Sequence, residues 1–123
     1  AAALASENKI HAHPASVDTV PTSANQEDHV SMGVTAARKA RTILENTEQV
    51  IAIELLCAGQ AREFHPELTA GRGAQALHDH LRETVPPLFR DRYAHTDIVA
   101  AVKMIRDGSA LAAVEGRAGR LQS

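Results

Sequence analysis

Aromatic side chains are scarce in this sequence of 123 residues, with only Phe64, Phe89 and Tyr93 present. Large aromatics supply much of the buried area of a small domain. Alanine is abundant instead; it lets helices approach closely but buries little per residue. A core built this way is thin, which implies that the helices pack against more protein than these residues contain. There is one cysteine, Cys57. No internal disulfide framework can form, which fits a reducing, cytoplasmic compartment. Strong net charge is also missing: the formal value is -2, with acids and bases interspersed. That excludes a dominant electrostatic pull on nucleic acid or anionic lipid. No apolar run reaches the roughly 18 residues that a membrane span needs. The apolar start at 1–5 has no basic region before it and does not read as a signal peptide.

What is there reads as helix. Residues 1–10 are helix-compatible, and His13-Pro14 ends that stretch because the residue before proline is pushed toward extended geometry. The β-branched, proline-bounded segment 15–21 reads as an extended loop. Ser23 with Gln26 fits a capping box, and Asn25 is a rival N-cap. Either choice puts Glu27 and Asp28 near the first turn of a helix, where the dipole favours their ionised forms.

The helix expected next is long. Val30, Val34, Ala37, Ile51, Leu55 and Ala58 recur at helical spacing, and neither Gly nor Pro occurs from 34 to 58. From 50 to 58 the helix is apolar nearly all round apart from Glu54, as in the middle of a bundle. A buried strand at 50–56 is the rival, without a turn signal to introduce it. Shorter helices follow. One runs from Thr69 or Ala74 to Thr84 and is stopped by Pro86-Pro87. The next runs from 96 to 106, capped by Thr96 and ended by Asp107-Gly108. A short one spans 109–114, and the tail 116–123 reads as frayed. The fold class is therefore all-α: one long central helix of about 30–62 and shorter C-terminal helices over 67–115, part of a helical bundle completed by oligomerisation. The segment 1–29 leads into it, and the whole of 1–123 reads as a single helical region.

Chemistry-bearing patterns are few. His11-x-His13 with Glu27-x-His29 offers four zinc-type ligands, yet no framed motif supports it, so loop contacts are the better reading and no metal is assigned. His78 and His80 point to different faces of one helix and make poor co-ligands. Cys57 lies in the most apolar stretch, where a thiol is an inert core residue. Gly71-x-Gly73 lacks a third glycine and a preceding strand, so it reads as a turn. Glu54, an acid in an apolar helix, is expected to meet an arginine, in this chain or a neighbouring one, in preference to acting in catalysis. Asn25-Gln26-Glu27 crowds polar groups at a helix start after a proline loop. That arrangement suits either a charged ligand or simple capping.

The run His13-Pro14-Ala15-Ser16-Val17-Asp18, followed by Pro21-Thr22-Ser23-Ala24-Asn25-Gln26-Glu27-Asp28-His29-Val30-Ser31-Met32-Gly33, closely resembles the histidine ammonia-lyases, within the aromatic amino acid ammonia-lyase family. Ala5-Ser6-Glu7-Asn8-Lys9, Ala36-Ala37-Arg38-Lys39 and Ala52-Ile53-Glu54-Leu55-Leu56 continue the likeness. It is dense to about Phe64 and looser beyond, where Pro86-Pro87, Asp91-Arg92-Tyr93 and Asp97-Ile98 still fit. It spans the chain but only the C-terminal portion of the family's sequence.

The resemblance implies elimination of ammonia from L-histidine to give trans-urocanate. It implies a methylidene-imidazolone electrophile made from Ala-Ser-Gly, a tripeptide this sequence does not contain. The family's tyrosine base lies upstream of the matched region, and Tyr93 is not in its motif. The chain alone is therefore expected to be inactive, lacking the cofactor and the N-terminal part of the lyase. By the same resemblance Glu27 lines the active site as a catalytic residue. It can hold a cationic amine or imidazolium, or accept a proton. Gln26 and Asn25 are then its substrate-binding neighbours. The resemblance also implies a homotetramer with a central bundle of long helices. Tyrosine and phenylalanine lyases or aminomutases share the fold, but Glu27-Asp28-His29 favours histidine. A non-catalytic helical oligomerisation module is the competing reading.

Overall fold

The computed structural model describes residues 1–121, and its named elements are all helical. Its helices are α1 (Ala2–His11), α2 (Gly33–Glu63), α3 (Arg72–Thr84), α4 (His95–Arg106) and α5 (Ser109–Ala118), with a single 3-10 turn at Ser23–Asn25. The all-α class and the long helix stand as expected. The chain divides into two compact units, Ala1–Val50 and Ile51–Ser123, with α2 contributing to both.

In the first unit, α1 buries no residue. It is fastened by amides. Asn46 Nδ2, on α2, donates to Asn8 Oδ1 at 3.0 Å and to Glu7 Oε2 at 3.3 Å. The chain leaving α1 is tied back where Lys39 Nζ donates to the His13 carbonyl. Helix α2 begins at Gly33, later than the pattern from Val30 suggests. Ser31 Oγ accepts the Gly33 N–H at 3.2 Å and satisfies one of the orphan donors there.

The second unit holds an apolar core of Leu81, Val85 and Met104, with Leu55, Leu56, Ala100 and Ala110 packed against it. Leu81 is fully buried, worth about 1.5–3 kcal/mol relative to exposure. Two glycines permit close helix approach. A Cβ at Gly59 would lie 2.7 Å from Leu81 Cδ2, and one at Gly73 would lie 3.2 Å from Val114 Cγ1 on α5. Gly71-x-Gly73 is thus a helix start rather than a free turn: Gly71 is the N-cap of α3 and Gly73 lies in its first turn.

Val85 is extended as α3 ends, as Pro86-Pro87 requires. Gly108 takes φ 76°, the left-handed geometry that follows many helix ends, and α5 begins at once. Thr96 does not cap α4. The helix starts at His95, and the Thr96 hydroxyl donates back to the Tyr93 carbonyl at 3.1 Å. Helix α5 runs to Ala118, past the expected end at 114, so the first part of the presumed tail is helical; residues 122–123 lie outside the described residues.

Charged side chains brace the same unit. Glu63 Oε1 accepts from Arg82 Nε at 2.8 Å and meets His78 Nε2 at 2.9 Å. Arg82 first and His78 second hold its carboxyl below the usual range. Hydrogen bonds from Gln75 and then Arg117 lower Asp79, and the Ser109 backbone N–H lowers Asp107. No helix is long and apolar enough to cross a membrane among the described residues.

One expectation about α2 is corrected and another is narrowed. Cys57 is exposed, not a core thiol. It lines an apolar groove of about 460 Å³ with Ile53, Leu56, Phe64 and Ile98. Glu54 is exposed as well, and no arginine of this chain pairs with it among the described residues. Its neighbours on that side, Ile51 and Ala58, are exposed too. Apolar residues all round a helix do not reveal which side the chain itself covers.

Candidate active site

The segment between α1 and α2 folds into a closed turn. Thr22 and Glu27 pair as an isolated antiparallel bridge. Thr22 N–H donates to the Glu27 carbonyl at 2.8 Å, and Glu27 N–H donates to the Thr22 carbonyl at 3.3 Å. Gln26 N–H closes on the Ser23 carbonyl at 3.1 Å. This reversal is made with unusual backbone. Ser23, Ala24 and Asn25 take φ of 52°, 55° and 69°, all left-handed. Asn tolerates that region; Ser and Ala do so at a cost of about 1–2 kcal/mol per residue. Such strain persists only where surrounding bonds over-determine it, and it concentrates at functional sites.

This geometry replaces the expected capping box. None of Ser23, Asn25 and Gln26 caps an α-helix, and Glu27 and Asp28 do not sit in the first turn of α2, which begins at Gly33. The competing bonds explain why. Thr19 Oγ1 accepts the Val30 N–H at 3.0 Å, and the Thr22–Glu27 pair holds the turn apart from the helix start.

Asn25, Gln26 and Glu27 are brought together on this turn, all exposed. The Glu27 head is fixed: Thr22 Oγ1 donates to Oε2 at 2.8 Å. Neither Oε1 nor the side chains of Asn25 and Gln26 have a protein hydrogen bond among the described residues. The turn thus presents one anchored carboxylate and two open amides, a set that can bind a cation or take up a proton. Thr22 escapes a reading of the sequence, since a threonine five residues before a glutamate matches no helix or strand period. The histidines and acids weighed as metal ligands do not converge. His11 faces Glu7 at 3.6 Å, and no group of three candidate ligands occurs among the described residues. A hollow of about 330 Å³ lies nearby, lined by Asp18, His29, Ser31 and Met32, without Glu27.

Comparison with known proteins follows the same segment. Residues 1–83 match the family model described as aromatic amino acid lyase. Histidine ammonia-lyase of Gloeobacter violaceus is 55% identical over 121 residues, covering 98% of this chain and 24% of the relative. The crystal structure of histidine ammonia-lyase from Trypanosoma cruzi superposes with a TM-score of 0.87 at 44% identity, over 94% of this chain and 23% of that one. A tyrosine aminomutase from Streptomyces globisporus gives 0.88 at 34% identity, over 98% and 23%. The chain therefore spans about a quarter of the length of these relatives. With the match covering both the turn and α2, the chain belongs to the aromatic amino acid lyase family.

Proposed function

We propose that this chain is the C-terminal portion of a histidine ammonia-lyase and contributes Glu27 to a composite site converting L-histidine to trans-urocanate and ammonia. The observation that carries the reading is the anchored, exposed carboxylate of Glu27 within the matched segment. Histidine is favoured over tyrosine by the Glu27-Asp28-His29 pattern. The higher identity to histidine ammonia-lyases than to aminomutases supports the same choice.

The methylidene-imidazolone electrophile of such a lyase has no precursor here, since Ala-Ser-Gly does not occur in the sequence. The residues present do not fit as its source, and it would have to come from polypeptide outside them. What Glu27 offers is local. An ionised carboxylate binds the ammonium or imidazolium of the substrate, or accepts a proton from its amine. Gln26 and Asn25 add hydrogen-bonding amides beside it. The open face of α2 with Ile51, Glu54 and Ala58 supports assembly with further subunits, as does the alanine-rich composition.

The test is to follow urocanate absorbance with the chain alone and with the chain mixed with a polypeptide carrying the upstream region of a lyase. Activity only on mixing is expected. Activity of the chain alone would overturn the argument from the missing tripeptide. Inactivity in both, despite a formed complex, would favour a non-catalytic helical module. In the active mixture Glu27→Gln should lower kcat by about 10²-fold or more with assembly unchanged.

A further inference from the structure

We infer that Thr22 is the positioning residue of the candidate site: its hydroxyl holds one oxygen of Glu27 so that the other stays open to the substrate. The inference rests on the proposed role of Glu27. An exposed glutamate has three side-chain torsions and samples many rotamers. Glu27 is held at both ends. Its backbone is paired with Thr22 in both directions, and its Oε2 accepts from Thr22 Oγ1 at 2.8 Å. The two contacts close a ring through a single partner residue, so the carboxylate cannot swing without breaking one of them.

The left-handed run at Ser23, Ala24 and Asn25 is what sets residue 22 opposite residue 27. The strained backbone thus has a chemical consequence: it delivers a hydroxyl to the carboxylate. The bond is charge-assisted, of the kind shorter and stronger than a neutral one. It uses one oxygen only, and Oε1 has no protein partner among the described residues. A threonine suits the task because its branched Cβ restricts the torsion that aims the hydroxyl.

The test compares Thr22→Val, which keeps the shape and removes the hydroxyl, with Thr22→Ser, which keeps the hydroxyl. Both are assayed in the chain complemented with the upstream polypeptide, alongside Glu27→Gln and the Thr22→Val/Glu27→Gln double variant. Thr22→Val should lower kcat about 10- to 100-fold with little change in KM, as a misaimed catalytic group does. Thr22→Ser should restore most of the rate. In the Glu27→Gln background, Thr22→Val should add less than about twofold, since residues acting as one unit are not additive. A wild-type rate in Thr22→Val while Glu27→Gln is impaired sinks the role of Thr22 alone. A wild-type rate in Glu27→Gln removes the reading on which it rests. An activity-free measurement completes the test: side-chain couplings of Glu27 by NMR in the chain alone should report one rotamer, and averaged couplings would overturn the inference.

Discussion

The Ile51–Ser123 unit buries hydrocarbon: Ala52, Ala76, Leu81, Val85, Ala101 and Met104 are its enclosed apolar residues. In the Ala1–Val50 unit the one buried residue among those described is an asparagine, Asn46. The difference separates two kinds of order. Apolar burial is non-directional and tolerates small shifts, so it supplies cohesion. Hydrogen bonds fix distance and angle but contribute modest net stability, so they supply position. The turn that carries Glu27 is in the second category, held by the bonds of Thr19 and Thr22 and by left-handed backbone. The composite site proposed above would need the loop aimed and would not need it buried.

The strongest way to break this contrast is Leu81→Ala. Leu81 is fully enclosed, with Gly59 against its Cδ2 atom, so little space is available for relaxation. A loss of about 2–5 kcal/mol is expected, and urea unfolding followed by helical circular dichroism measures it. Protection of amides in Ile51–Ser123 should fall most under native-state hydrogen exchange. A cost below about 1 kcal/mol would mean that the packing round Leu81 is not the source of the unit's cohesion.

In the other unit the equivalent probe is Asn46→Ala. It removes the bonds to Asn8 and Glu7 that join α1 to α2. Losing a part-buried amide pair costs about 1–2 kcal/mol. The readout is local: faster hydrogen exchange in Ala2–His11, with α3 to α5 unchanged. Since α1 fully buries no residue, it keeps only the half-buried Leu4 and the long bonds from Asn8 Nδ2 to the Ile43 carbonyl and Thr47 Oγ1. Undiminished protection of α1 would show that those remaining contacts suffice to retain it.

These two probes also mark what could be read from the sequence. The helix breaks at His13-Pro14, Pro86-Pro87 and Asp107-Gly108 were legible because proline and glycine act through their own backbone chemistry, whatever surrounds them. The length of α2 was legible from its unbroken periodic run, and the likeness to ammonia-lyases was legible from one dense segment around Glu27. The capping box was not. Ser23 and Gln26 have the right spacing, but the Gln26 N–H bonds the Ser23 carbonyl and Thr22 pairs with Glu27, closing a turn that no local pattern announces. Burial round α2 was illegible for a different reason. A helix apolar on every side gives no clue to which face the chain covers, so the pattern puts Cys57 in a core that this chain does not supply and does not say in which chain a partner of Glu54 lies.

The smallest expected effect sharpens the comparison most, because it separates strain from position. Ala24 has φ 55° and ψ 42°, left-handed geometry that an alanine adopts at a cost and a glycine adopts freely. Ala24→Gly relieves that cost in the folded chain and adds freedom to the unfolded one, about 0.4–1 kcal/mol the other way. The net change in stability should be a gain of between about 0 and 1.6 kcal/mol, measured by the same urea unfolding. Ala24→Val cannot gain in this way, since a β-branched residue fits left-handed backbone worst, and it should destabilise the turn. If the turn exists to aim Glu27, the glycine variant should also loosen it: the exchange of the Thr22 and Glu27 amides, which close the bridge, should quicken even as global stability holds or rises. Slower exchange at those two amides would mean that the strained alanine contributes nothing to holding the carboxylate in place.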